Sequence, residues 1–394
     1  MSATAISVPA VPLPEARRAL AGASLAHALH DGYTDLIYLL LPVWQAEFSL
    51  GYGALAALRG LYAGTMAALQ VPSGWLAERA GGRAVLVAGT GLAAFGYALA
   101  GFSGGLLGLG AALALSGAGS STQHPLASAA VSRAYGGGAA ARVPLGTYNF
   151  AGDLGKAALP ALAALLLALL PWRAALWLLA LVGLLAAVAV HLLVPAFGRA
   201  AASAPSGARG AGRGGFAPLF AIGVLDSGAR MGFLTFLPFL LQAKGADLSL
   251  VGVALTLVFL GGAAGKFACA WLGARLGLLA TVLATEAGTA AAILAVLALP
   301  LAPALALLPL LGAMLNGTSS VLYGTVPEFA APGREGRAFA VFYTGTIGSG
   351  AVSPVLFGVV GDWAGPGWGA AAAGTAALLT CPLALLLAPR LRSR

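Results

Sequence analysis

Apolar residues fill stretches of twenty or more positions near 20–46, 53–75, 83–103, 105–134, 143–170 and 172–195, broken only by short polar or Gly/Pro turns. The pattern stops at 196–215, a small-residue, Gly-rich and basic segment with the composition of a flexible linker. Six more stretches follow near 216–242, 249–274, 277–299, 304–329, 336–361 and 367–390. A helix needs about 20 apolar residues to cross a bilayer. The pattern therefore predicts an all-α integral membrane protein with twelve transmembrane helices in two six-helix bundles. Its expected parts are a tail over 1–19, an N-terminal bundle over 20–195, a linker over 196–215, a C-terminal bundle over 216–390 and a tail over 391–394.

The halves echo each other. Trp75-Leu76-Ala77-Glu78-Arg79-Ala80-Gly81 returns 196 positions later as Trp271-Leu272-Gly273-Ala274-Arg275-Leu276-Gly277, and Pro42 returns at the same shift as Pro238. Ser49-Leu50 and Ala54-Leu55 return as Ser249-Leu250 and Ala254-Leu255. Three correspondences in chain order predict a pseudo-symmetric, duplicated fold whose halves rock about a midplane cavity.

Only 8% of the 394 residues are charged, against roughly 25% in a soluble domain, which excludes a soluble enzyme. The net charge of +9 does not indicate nucleic acid, because the basic residues stand singly between apolar runs. If both termini are cytoplasmic, fifteen Lys and Arg fall inside and two, Arg173 and Lys244, outside; Arg59, Lys156, Arg230 and Lys266 lie within spans. That is a positive-inside asymmetry. The start of the chain carries Pro9, Pro12, Pro14, Arg17 and Arg18, and reads as a cytoplasmic tail rather than a signal peptide, because the run after it is interrupted by His and Asp. Cys269 and Cys381 both sit in apolar runs, so neither a disulfide framework nor a metal site is indicated. No cofactor is expected.

An unpaired ionisable group at the bilayer centre costs roughly 3 kcal/mol or more, so such residues mark a wet cavity or a relay unless they are neutralised locally. In the first span His27, His30, Asp31, Thr34, Asp35 and Tyr38 follow three- and four-residue spacing, which aligns them on one helix stripe. Carboxylates beside imidazoles suit proton coupling, assigned here to His27, His30, Asp31 and Asp35. The plainer alternative is an interhelical clamp in which a histidine neutralises Asp31. Asn149, Asp153 and Lys156 share the fifth span, and Asp226 and Arg230 the seventh. Asp153 with Lys156, and Asp226 with Arg230, are spaced either for internal pairing or for contact with a solute. Lys266 has no carboxylate within a turn and reads as an anion contact; Gln70 is its counterpart at the 196-residue shift. Glu286 is also isolated, but its peripheral span suggests packing. His124-Pro125 interrupts the fourth span and bends it. The solute-contact candidates are thus Tyr38, Gln70, His124, Asn149, Asp153, Lys156, Asp226, Arg230 and Lys266. Three glycine patterns mimic nucleophile or nucleotide motifs, but those at 101–105 and 210–215 lack the strand that such motifs follow, and 261–266 is one residue short of a phosphate loop and lacks the following Ser or Thr.

Gly74-Trp75-Leu76-Ala77-Glu78-Arg79-Ala80-Gly81-Gly82-Arg83 resembles the loop signature between spans 2 and 3 of the major facilitator superfamily, with Glu78 in place of the usual Asp. Ser24-Leu25-Ala26-His27 with Asp31, Pro42, Glu47-Phe48-Ser49-Leu50, Gln70 and the run from Gly117 to His124-Pro125 resemble the fosmidomycin-resistance type of exporter. Pro327-Glu328, Arg337, Pro354 and Asp362 extend that likeness into the second half. Two positions depart from it: Gly152-Asp153-Leu154-Gly155 stands where that group shows G-N-x-G, and Leu159 replaces a glycine.

The resemblance implies a proton-coupled, alternating-access transporter of a bacterial-type inner membrane. Gly74, Glu78, Arg79, Arg83, Arg133, Glu328 and Arg337 would act as gating residues. The leading expectation is export of a small organic anion or drug by a monomer in the lipid bilayer, using protons. Proton-symport uptake of a metabolite anion is the alternative, and a transporter-like sensor or channel a further one. An intramembrane enzyme would need a metal or nucleotide constellation that the sequence does not offer.

Overall fold

Long uninterrupted apolar runs leave the backbone no partner in lipid except itself, so each run closes its own hydrogen bonds as a helix. The computed structural model describes residues 12–137, 140–197, 215–330 and 335–391. Residues 1–11 and 392–394 of the expected tails and 198–214 of the expected linker lie outside these. Among the described residues every regular element is helical: α1 (Leu13–Phe48), α2 (Tyr52–Ala80), α3 (Gly82–Ala100), α4 (Leu106–Ser120), α5 (Gln123–Ala134), α6 (Arg142–Leu169), α7 (Trp172–Leu193), α8 (Phe216–Ala243), α9 (Leu248–Ala298), α10 (Leu301–Phe329), α11 (Glu335–Ala364) and α12 (Pro366–Leu391).

These make twelve passes. α4 and α5, of 15 and 12 residues, are two pieces of one pass that breaks just before His124-Pro125. α9, at 51 residues, is two passes joined at Gly277, where φ is 80°. Gly81, 196 positions earlier, has φ 89° and makes the turn between α2 and α3. A side chain rarely adopts that backbone region, so the repeated glycine reads directly as a repeated turn. Eight helices are long and apolar enough to cross a membrane by length and composition: α3 and every helix from α6 to α12. α1 and α2 have the length but carry the polar residues of the site below.

α1 packs on α5, α6 and α7 in the N-terminal half, and α8 packs on α11 and α12 in the C-terminal half. The halves meet chiefly through α2 with α11 and α6 with α9, and more lightly through α1 with α8 and α9. At the end where α1 stops and α2 starts, one apolar core runs through both halves, from Leu36, Leu40 and Trp44 to Phe233, Phe236 and Leu237. Tyr52 meets Phe239 edge-on across the divide, ring centroids 5.0 Å apart. Asp362 at the end of α11 accepts hydrogen bonds from the Tyr52 and Gly53 amides at 2.5 and 2.9 Å, capping α2 from the other half. At the opposite end, where α1 begins and α12 finishes, the core splits into separate clusters, one around Ala23, Val85 and Val131 and one around Leu219, Val282 and Leu322. The molecule is thus shut at its Tyr52 end and parted at the other. Arg173 and Lys244 both lie at the shut end. Arg173 donates to Glu47 at 2.6 Å and holds that carboxyl below the ordinary carboxylate range. Lys244 donates to the Leu297 and Leu299 carbonyls.

Candidate functional site

The polar stripe of α1 faces inward as its spacing predicts, with His27, His30, Asp31 and Asp35 all buried. α6 lies against it because Gly152 and Gly155 have no side chains: a Cβ on Gly152 would overlap Asp31 and His27, and one on Gly155 the backbone of Ala28. This contact brings Lys156 Nζ to 3.3 Å from Asp31 Oδ2.

The histidines are arranged around the same carboxylate. His27 Nδ1 lies 2.9 Å from the Tyr148 carbonyl, which can only accept, so Nδ1 carries the proton. His27 Nε2 then faces Asp31 Oδ2 at 3.4 Å. A lone pair opposed to a carboxylate repels it, so this contact has a place for a second proton. His30 Nε2 is 3.8 Å from Asp31 Oδ1 and 3.2 Å from His124 Nε2. The bent α4–α5 pass carries His124 into this contact. Donor atoms of His27, Asp31 and His124 lie within 4.8 Å of one another, close enough for a metal ion. Lys156 already puts a fixed cation against the Asp31 oxygen such an ion would need.

A cavity of about 190 Å³ opens between the halves. It is lined by His30, Asp31, Asp35, His124, Lys156 and Arg230 from the sequence-derived candidates, and by Arg59, which those candidates omit. Met231, Phe259, Asn316, Tyr323 and Tyr343 complete much of the wall. Arg59 is 3% exposed, sits 5.3 Å from the Tyr38 ring centre and points Nη2 at Met231 Sδ. The Nε atoms of Arg59 and Arg230 are buried without a hydrogen-bond partner, and among the described residues neither guanidinium has a carboxylate within 4 Å. Arg59 was legible by the criterion that singled out Lys266: a lone cation deep in an apolar run.

Other candidates fall elsewhere. Lys266 is not a free cation, because Asp153 from the other half accepts from its Nζ at 2.5 Å, and it does not line the cavity. Asp153 and Lys156 are 3.9 Å apart, a looser contact than either makes with its other partner. Asp226 does not pair with Arg230; it lies outside the cavity lining and faces Glu286. Tyr38 is fully buried beneath the cavity and donates to Met231 Sδ at 3.1 Å. Gln70 does not line the cavity, and its Nε2 is buried without a hydrogen-bond partner; Asn149 is exposed on α6 and does not line the cavity either. Gly74, Glu78, Arg79 and Arg83 gather about the α2–α3 turn, Arg133 stacks 6.0 Å from the Phe197 ring centre at the end of α5, and Glu328 and Arg337 are exposed at the facing ends of α10 and α11. All seven stand at the parted end, outside the cavity.

A family model described as Major Facilitator Superfamily matches the chain twice, over residues 23–218 and 219–394. No curated protein matches it in sequence. Among solved structures, a bacterial homologue of the human lysosomal transporter Spinster, inward-facing and occupied, aligns with TM-score 0.80 at 15% identity, covering 95% of this chain and 97% of that one. A POT family transporter in complex with 5-aminolevulinic acid aligns with TM-score 0.79 at 13% identity, over 95% and 97% of the two chains. The human organic anion transporter MFSD10 aligns with TM-score 0.64 at 20% identity, over 94% and 99%. Likeness at these identities is likeness of fold.

Proposed function

The chain belongs to the Major Facilitator Superfamily and is a multi-pass membrane transporter rather than an enzyme; on that premise we propose that it carries a small organic anion together with protons, by alternating access. The observation that carries this reading is the pair of guanidiniums, Arg59 and Arg230, in the wall of a cavity between the halves, each with a buried Nε that has no hydrogen-bond partner and neither ion-paired among the described residues. The wall holds three fixed cations, Arg59, Lys156 and Arg230, against two carboxylates, Asp31 and Asp35. Lys156 and Asp31 satisfy each other. Two guanidiniums then share one unpaired carboxylate, Asp35, and the surplus positive charge selects an anion. Guanidinium geometry favours a carboxylate or a phosphonate-like group. At about 190 Å³ the cavity is smaller than the roughly 300–1,000 Å³ of sites for drug-sized ligands, which favours a small metabolite over a bulky drug.

The same charges set the sign of coupling. A proton on Asp35 removes the wall's competing negative charge, so proton and anion each strengthen the other's binding. Ligands that bind together travel together, and an inward proton gradient then drives uptake. Asp31, with His27 and His30 around it, is the second place where a proton can be taken up. The exporter reading implied by the sequence resemblance needs the opposite sign, with protons loosening the solute. Orientation follows the fifteen-to-two Lys and Arg asymmetry, which puts the parted end and both termini on the cytoplasmic side of the cell membrane. Glu78, Arg79, Arg83, Arg133, Glu328 and Arg337 are then the charged rim that meets when that side closes. Calorimetric titration of the purified transporter with small carboxylates and phosphonates across pH tests the reading. Binding that tightens as pH falls is expected; binding that weakens as pH falls would establish exchange, and binding of cations alone would remove the anion.

A further inference from the structure

Asp226 and Arg230 lie one turn apart on α8, a spacing that commonly pairs opposite charges, yet they form no ion pair within 4 Å. Asp226, 4% exposed, instead faces Glu286, 1% exposed, on the second limb of α9. Thr318 of α10, beside Glu286, donates to Thr285 Oγ1 at 2.8 Å. No cationic nitrogen of the described residues lies within 4 Å of either carboxyl. Ionised carboxylates only accept, so two of them brought together with no cation beside them need a proton on one. Two adjacent charges of one sign, removed from water, cannot both persist.

We propose that Asp226 and Glu286 form a second proton-binding site, inside the C-terminal half and separate from the Asp31 cluster, which holds one shared proton at neutral pH. The titratable or charged groups facing the pair are Arg230 on α8, Cys269 on the first limb of α9, Tyr323 on α10 and Cys381 on α12. Arg230 is the link to the cavity. Its field favours ionisation of the pair, and an anion bound at its guanidinium offsets that field, so the pair holds its proton more firmly when solute is present. This last coupling rests on the anion reading above; the shared proton does not.

Infrared difference spectroscopy on the full-length protein in lipid separates the two. Near pH 7, about three units above a free carboxyl, wild type is expected to show the carbonyl stretch of a protonated carboxyl, shifting in deuterated water. That band is expected to vanish in Asp226→Asn/Glu286→Gln and to persist in Asp31→Asn/Asp35→Asn. No such band in wild type, or a band that survives loss of both Asp226 and Glu286, would overturn the proposal. Should the double variant fail to fold, Glu286→Gln alone must shift or abolish the band, and an unmoved band counts against the site equally. No solute is added, so a failed anion reading leaves this result interpretable.

Discussion

Replacing Asp35 by Asn isolates the electrostatic half of the transport reading, because Asn keeps the shape of a protonated Asp and removes only its charge. A cavity of about 190 Å³, taken as a sphere, is roughly 7 Å across, so a bound anion lies within about that distance of the Asp35 carboxylate; at an effective dielectric constant near 20, two like unit charges so placed repel by about 2.4 kcal/mol. Removing that repulsion corresponds to a roughly fifty-fold tighter anion. In Asp35→Asn, affinity at alkaline pH is therefore expected to rise one to two orders of magnitude, to the level wild type reaches on acidification, and its dependence on pH to flatten. The assay is titration of purified wild type and variant with the same carboxylate probe at several pH values, with intrinsic tryptophan fluorescence as a second signal. The reasoning is refuted if Asp35→Asn binds the probe more weakly than wild type, or if its affinity keeps the full wild-type pH dependence.

Three further outcomes are expected. Arg230→Gln removes a charge-assisted contact at a desolvated site, a loss of about 2–3 kcal/mol that weakens anion binding roughly 30- to 150-fold with little change in thermal stability; an unaltered dissociation constant would take Arg230 out of the solute site. Lys266→Met and Asp153→Asn each break the bridge between α6 and α9, and a double-mutant cycle on melting temperature in detergent is expected to give a coupling of about 1–2 kcal/mol, moderated by the partial exposure of Lys266; additivity of the two would mean that the pair contributes nothing. Asp362→Ala strips the cap from α2, worth roughly 1 kcal/mol, and is expected to raise the population open at the Tyr52 end about five-fold, read as a longer spin-label distance between the ends of α2 and α11. An unchanged distance distribution would show that the aromatic contacts there suffice alone.

The fold was legible because lipid leaves few options: run lengths gave the helix ends to within about five residues, except that α1 begins at Leu13, seven residues inside the expected tail, and the repeated Gly81 and Gly277 marked the same turn in both halves. The site was legible where helical spacing governs, as on the α1 stripe, and where a proline bends the pass that carries His124. It was misread where partners come from another helix. Lys266 looked free because a search within one turn cannot find Asp153, 113 positions away. Asp226 was read as either pairing with Arg230 or meeting a solute, because Arg230 is near in sequence, whereas Glu286, 60 positions on, is what it faces in space. Arg59 was only counted among the span residues, although it is a lone cation deep in an apolar run like Lys266. Periodicity reports which face a residue occupies, and tertiary packing decides what it meets there.

The shut end is sealed largely by apolar and aromatic surface, from Trp44 and Tyr52 to Phe236 and Phe239. Burial of such surface has a large negative heat capacity, and its driving force fades on cooling. The balance between the two access states should accordingly be thermometric: chilling loosens the sealed side relative to the polar rim opposite. Exchange rates plotted against inverse temperature will then curve rather than fall on a straight line, and conformations trapped in the cold will over-represent the form open at the Tyr52 end.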